Sequence, residues 1–209
     1  MIRSLGAMRF SARKTVALLV CLLGITAGAF AQKTEFKLGA GFGAFGNVAF
    51  NNFFGADTKW LDFSGGAYAF IDANYVFLSA DFWWGGHNTF MEDAGIGKHA
   101  KYGMSGITYN VLLQYPMDYV GGRSVLLLGL GIQTFTGMDI TEGTPVDDLS
   151  KKSLTDLTSL WLRIGAGNHR SITDLLYYRY DALYSFQLTG EGDLKSGLDI
   201  RIALGFWII

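Results

Sequence analysis

Leu198-Asp199-Ile200-Arg201-Ile202-Ala203-Leu204-Gly205-Phe206-Trp207-Ile208-Ile209 is the stretch whose reading decides the fold. Leu198, Ile200, Ile202, Leu204, Phe206 and Ile208 fall on one side; Asp199, Arg201, Ala203, Gly205 and Trp207 fall on the other. A period of two marks a strand with one apolar face, as in a membrane strand with a polar interior behind it. A soluble sandwich would satisfy this segment equally well, with its polar side in water. The rest of the chain separates the two.

Arg3, Arg9, Arg13 and Lys14 precede an apolar run from Val16 to Phe30, and Ala29-Phe30-Ala31 before Gln32 fits the small-x-small cleavage pattern of a secretory signal. Residues 1–31 therefore read as a signal peptide and residues 32–209 as one exported domain. The run is too short and too asymmetrically flanked for a spanning helix. Cys21, the single cysteine, follows Val20, which is large where a lipoprotein site needs a small residue. Cleavage after Ala31 leaves no cysteine, hence no disulfide framework and no thiol chemistry. It also takes four of the 17 basic residues and none of the 18 acidic ones, leaving a charge of −5. That balance argues against nucleic acid as a partner.

The remaining length suits one domain. Hydrophobic residues make up 50% of the chain and mean hydropathy is +0.24. Yet nothing after residue 31 approaches the ~20 consecutive apolar residues of a transmembrane helix. An apolar exported chain without a spanning helix points to a closed barrel, because only helices and closed sheets satisfy every backbone group in lipid. The 28 glycines and 15% aromatics agree: glycine relieves crowding inside a small curved barrel, and Tyr and Trp favour lipid interfaces.

The chain divides into eight alternating segments, near Thr34–Phe45, Leu61–Asp72, Tyr75–Gly86, Lys101–Tyr115, Ser124–Gly137, Thr158–Gly167, Leu175–Leu188 and Gly197–Ile208. The expected fold class is all-β: an eight-stranded antiparallel up-and-down transmembrane barrel. Connections alternate in length. Residues 46–60, 87–100, 138–157 and 189–196 are the longer ones, while Asp72–Asn74, Pro116–Arg123 and Asn168–Asp174 are shorter. Long surface loops opposite short periplasmic turns are the asymmetry of outer-membrane barrels.

Facing follows from the alternation. Tyr178, Tyr180, Tyr184 and Phe186 oppose Arg179, Asp181, Ser185 and Gln187; Leu160, Leu162 and Ile164 oppose Trp161 and Arg163; Tyr109, Val111 and Leu113 oppose Asn110 and Gln114. Phe36, Leu38, Ala40, Phe42 and Ala44 oppose Lys37, Gly39, Gly41 and Gly43. In segment two, Tyr68 and Phe70 face Ala67, Ala69 and Ile71 across the strand, so its facing stays open. With the apolar face outward, Lys37, Asp81, Arg163, Arg179, Asp181, Asp199 and Arg201 share the lumen. Isolated burial of each ion would cost several kcal/mol, so an Arg–Asp network is the natural filling.

Catalysis has little support. His87 and His99 fall in an expected surface loop, and His169 in an expected periplasmic turn. His169-Arg170-Ser171 resembles the His-x-Ser of the lipid A deacylase barrels, but with the triplet at the opposite end and no Glu beside it. His87, Asp93 and Ser105 fit the lipid A palmitoyltransferase pattern only by force. Gly39-Ala40-Gly41-Phe42-Gly43 is followed by no helix and reads as strand rather than a phosphate loop. No histidine has a second ligand at metal-binding spacing, so no cofactor or metal is expected.

With its signal, eight segments and a last strand running into Gly205-Phe206-Trp207-Ile208-Ile209, the chain resembles the small eight-stranded outer-membrane proteins: the OmpA membrane domain, OmpX and the OmpW family. The resemblance implies an outer-membrane location in a diderm bacterium, outer-membrane lipids and the barrel-insertion machinery as partners, and four loops displayed to an extracellular partner. The charged interior is closer to the plugged OmpA type than to the apolar OmpW lumen. The leading expectation is a non-enzymatic surface protein. The alternatives are a narrow channel for small solutes and a soluble periplasmic lipocalin-like barrel.

Overall fold

Eight runs of alternating residues pair edge to edge until the last meets the first. The computed structural model describes residues 36–51, 61–87, 100–143, 158–189 and 195–208. Its strands, in chain order, are β1 (Leu38–Asn51), β2 (Leu61–Ala73), β3 (Val76–His87), β4 (Ala100–Tyr119), β5 (Gly122–Gly143), β6 (Ser159–Ser171), β7 (Leu176–Thr189) and β8 (Lys195–Trp207). Each pairs antiparallel with its sequence neighbours. β1 also pairs with β8, from Gly39 opposite Trp207 to Asn51 opposite Lys195, which closes the barrel and leaves no edge. The expected signal peptide, residues 1–31, lies outside the described residues.

The strands are longer than their apolar alternation suggests, because backbone pairing continues past it. β1 starts at Leu38, after Phe36 and Lys37, with the expected Thr34 and Glu35 outside the described residues, and runs to Asn51, with Asn47 still paired to Ser64 and Asp199. Residues 46–51 and 138–143, expected in surface loops, are therefore strand, as are His87, Ala100, Thr189, Lys195 and Ser196. The expected Pro116–Arg123 connection contracts to Val120-Gly121, where Gly121 takes φ 83°. Pro116 fits inside β4 because the β3 partner has already ended, with Val76 opposite Leu113. The expected Asn168–Asp174 turn contracts to 172–175, tied by the Thr173 hydroxyl, which accepts from the N–H of Leu176 at 2.9 Å.

The third short turn, Asn74-Tyr75, settles which way β2 faces. Asn74 adopts φ 39°, which asparagine tolerates. Ala73 then pairs with Val76, and the register carries Tyr68 opposite Asp81. Tyr68 and Phe70 must therefore point into the lumen with Asp81, leaving Ala67, Ala69 and Ile71 outside. Inside, Phe70 stacks on Phe77 at 5.4 Å, and Tyr177 stacks on Trp207 at 4.1 Å. These rings fit because the wall beneath them is bare. A Cβ on Gly41 would lie 2.6 Å from the Phe70 ring, and one on Gly205 would lie 2.3 Å from Tyr177 Cζ.

Candidate functional site

The lumen holds the chemistry. Its walls come from the inward residues of all eight strands, and they bring together charges that lie far apart in the chain. Near the turn end, Arg179 on β7 is fully buried. Its Nε donates to both oxygens of Asp181, at 2.9 Å and 2.7 Å, and its Nη1 donates to Asp72 Oδ2 across the lumen at 3.0 Å. The guanidinium carbon sits 3.9 Å over the Phe77 ring, so its flat face is covered while its edge is paired. Asp72 also accepts from Gln114 Nε2 at 2.5 Å and lies 3.5 Å from His169 Nδ1.

Closer to the loop end, Arg201 pairs with Asp81 and lies 4.2 Å over the Tyr68 ring. Asp81 is held by Ser79 Oγ at 2.8 Å and by Asn110 Nδ2 at 2.7 Å. Arg163 stands between two carboxylates, 3.5 Å from Asp81 and 3.3 Å from Asp199. Asp199 accepts from Asn47 Nδ2 at 2.6 Å and from Ser185 Oγ at 3.4 Å. Two arginines and two aspartates thus neutralise each other in one level. At the turn-end rim Arg123 pairs with Asp118 at 2.6 Å and donates to Asn74 Oδ1.

Of the seven lumen ions expected from sequence, Asp81, Arg163, Arg179, Asp181, Asp199 and Arg201 point inward and are buried. Lys37 differs. It precedes β1, makes no ion pair among the described residues, and stands with its ammonium 5.7 Å over the Trp207 ring. The apolar run beginning at Phe36 extends the strand pattern too early, and pairing starts only at Leu38.

Asp72, Arg123 and His169 escape the sequence reading because polar residues near strand ends read as turns. Parity would have found His169: Arg163, Gly165, Gly167 and His169 share one face. The histidine lies on β6, not in a turn, with its ring stacked 5.5 Å from Tyr177. It points into the lumen, so the His169-Arg170-Ser171 triplet splits, with Arg170 outside. Asp93 and His99 lie outside the described residues, and Ser105 Oγ approaches Thr136 Oγ1 at 3.4 Å. Among the described residues no three His, Cys, Asp or Glu side chains are grouped to hold a metal ion.

The outer wall has the opposite character. Phe42, Phe82, Trp84, Leu126, Ile164, Ile200 and Ile202 are all exposed, Ile202 by 64%. Apolar residues cover the outside of a closed eight-stranded sheet, and paired ions with buried aromatic rings fill its inside. The fold is a closed eight-stranded antiparallel barrel, apolar outside and charged inside. The chain is similar to solved structures of this kind. They include Neisserial surface protein A (12% identity, TM-score 0.48, 81% of this chain and 96% of that one). Ail, the attachment invasion locus protein of Yersinia pestis, is similar at 13% identity and TM-score 0.42, over 84% of this chain and all of its own. The outer membrane protein OprG of Pseudomonas aeruginosa follows at 11% and 0.43, over 83% and 96%. No protein-family model matches the chain, and no curated protein sequence does.

Proposed function

We propose that this chain is an integral outer-membrane β-barrel without enzymatic activity, its lumen plugged by paired charges and its four long connections turned away from the cell. The observation that carries the reading is the inversion of polarity. Arg179 and Arg201 are buried among carboxylates while Phe42, Ile200 and Ile202 stand exposed on the outer wall. A lipocalin-like soluble barrel needs the reverse, an apolar lumen and a wetted polar exterior. An apolar exterior over a closed sheet suits hydrocarbon.

Outer-membrane lipids are then the first partner and the barrel-insertion machinery the second. The lumen ions hold one another, so a path for solutes would require several charge-assisted contacts to part together. That favours a structural and surface-display role over a narrow channel. Any extracellular partner would meet the long connections within residues 46–60, 87–100, 138–157 and 189–196.

Fractionation of cells expressing the chain tests the reading. The protein should partition with detergent-extracted outer membrane, and protease added to intact cells should cut within residues 144–157 while sparing Asn74-Tyr75. Recovery in the soluble periplasm would refute the membrane barrel. Cleavage only after the outer membrane is breached would refute the orientation.

A further inference from the structure

The outer wall carries a polar patch at the turn end, and strand register brings its members together. At the turn end, the outward residues of β4 to β8 line up in rows. Tyr119, Gly122, Arg170, Tyr178 and Leu204 form one row. Met117, Ser124, Asn168, Tyr180 and Ile202 form the next. Tyr115, Leu126, Ala166, Ala182 and Ile200 form the third, whose one hydrogen-bonding side chain is Tyr115, and Tyr184 stands in the row beyond. Arg170 is the next-to-last residue of β6, so its cation lies at the turn end, at the border of the apolar belt.

The patch is built rather than scattered. Gly122 has no side chain, and the Tyr119 ring leans across it: a Cβ there would lie 2.5 Å from the phenol oxygen. So placed, Tyr119 donates to Asn168 Oδ1 at 2.8 Å, Asn168 Nδ2 donates to Ser124 Oγ at 3.0 Å, and Arg170 stands opposite Gly122 in the same row. Arg170 is exposed and makes no ion pair among the described residues, unlike the lumen arginines. Its guanidinium carries five N–H donors in a planar fork. Tyr178, directly opposite it on β7, adds a second phenol. Above the cation, the exposed Ala166 and Ala182 stand side by side between Leu126 and Ile200, a low strip between bulkier neighbours.

We propose that this patch is a phospholipid headgroup site, in which Arg170 holds the phosphodiester, the Tyr119 and Tyr178 hydroxyls flank it, and an acyl chain lies along the Ala166–Ala182 strip. The site rests on the membrane-barrel reading, which puts the turn end in the periplasmic leaflet, where phospholipid is the phosphate source. A guanidinium at the apolar border is uncompensated unless an anion meets it, and its planar fork matches two phosphate oxygens. A cation deeper in the belt would be far more costly, so the depth itself favours a headgroup.

Native mass spectrometry of the refolded barrel in detergent, with added phosphatidylglycerol, tests the site. The wild type should retain phosphatidylglycerol in preference to diacylglycerol of the same chains. Arg170→Gln should weaken retention about tenfold, as expected for loss of a charge-assisted contact, and Arg170→Lys should recover part of it. Tyr119→Phe should weaken it less. Because Arg170 is exposed, the variants should keep the heat-dependent SDS mobility of the folded barrel. Equal retention by Arg170→Gln, equal retention of diacylglycerol, or a preference for lipopolysaccharide would each overturn the assignment. A barrel that fails to insert into vesicles overturns the membrane reading and the site with it; one that inserts but retains lipid independently of Arg170 overturns the site alone.

Discussion

Arg179→Met removes the guanidinium from the most enclosed ion cluster while keeping an unbranched side chain over the Phe77 ring. Two carboxylates lose their cation at once. Asp72 keeps Gln114 at 2.5 Å and His169 at 3.5 Å, but Asp181 has no other ion pair among the described residues. Both carboxylates are buried, at 0% and 3% exposure. Removing one partner of a buried pair costs about 3–5 kcal/mol, because the remaining charge is left uncompensated. Asp181→Ala should cost less, about 1.5–3 kcal/mol, since Arg179 retains Asp72 and loses only charge-assisted hydrogen bonds. The triple variant Asp72→Asn, Arg179→Met, Asp181→Asn removes all three charges together and should recover most of the loss, as neutral replacements of buried ion clusters do. Equilibrium urea titration of the barrel in phospholipid vesicles, with folded fraction read by SDS mobility, measures all three. Arg179→Met within about 0.5 kcal/mol of wild type, the range of an ordinary surface substitution, would refute the paired-lumen account. So would a triple variant no more stable than Arg179→Met.

Heat should change electrophoretic mobility: the edgeless barrel resists SDS until boiled, so unheated and boiled samples should run apart, and identical mobility after successful refolding would count against closure. Gly205→Ala places a methyl 2.3 Å from Tyr177 Cζ and should cost about 1–3 kcal/mol by pushing that ring off Trp207; Gly46→Ala, with nothing within 4 Å, should be neutral by the same thermal mobility assay. In planar bilayers the wild type should give at most small, infrequent steps, because Arg201, Arg163 and their carboxylates occlude the lumen; a large persistent conductance would promote the channel reading.

Alternation determined the number of strands and the two faces of β4, β6, β7 and β8, because side chains on a strand must alternate and only one set there is apolar, while the closed class also needed the export signal and an apolar composition without a spanning helix. It also placed Asp81, Arg163, Arg179, Asp181, Asp199 and Arg201 on inward faces. Segment two was undecided because both its faces are apolar; only the two-residue turn at Asn74-Tyr75, by pairing Tyr68 with Asp81, turned its aromatics inward. That register was in principle readable, and so was His169 by its parity with Arg163. Which ion meets which was not readable. Asp72 and Arg179 are 107 residues apart and touch across the lumen rather than along a ladder. Their meeting depends on closure of β1 against β8 and on the stagger of every strand between, quantities that no local pattern carries. The same holds outside, where Tyr119, Asn168 and Arg170 form one patch only because the β4–β5 and β5–β6 registers slide them into adjacent rows.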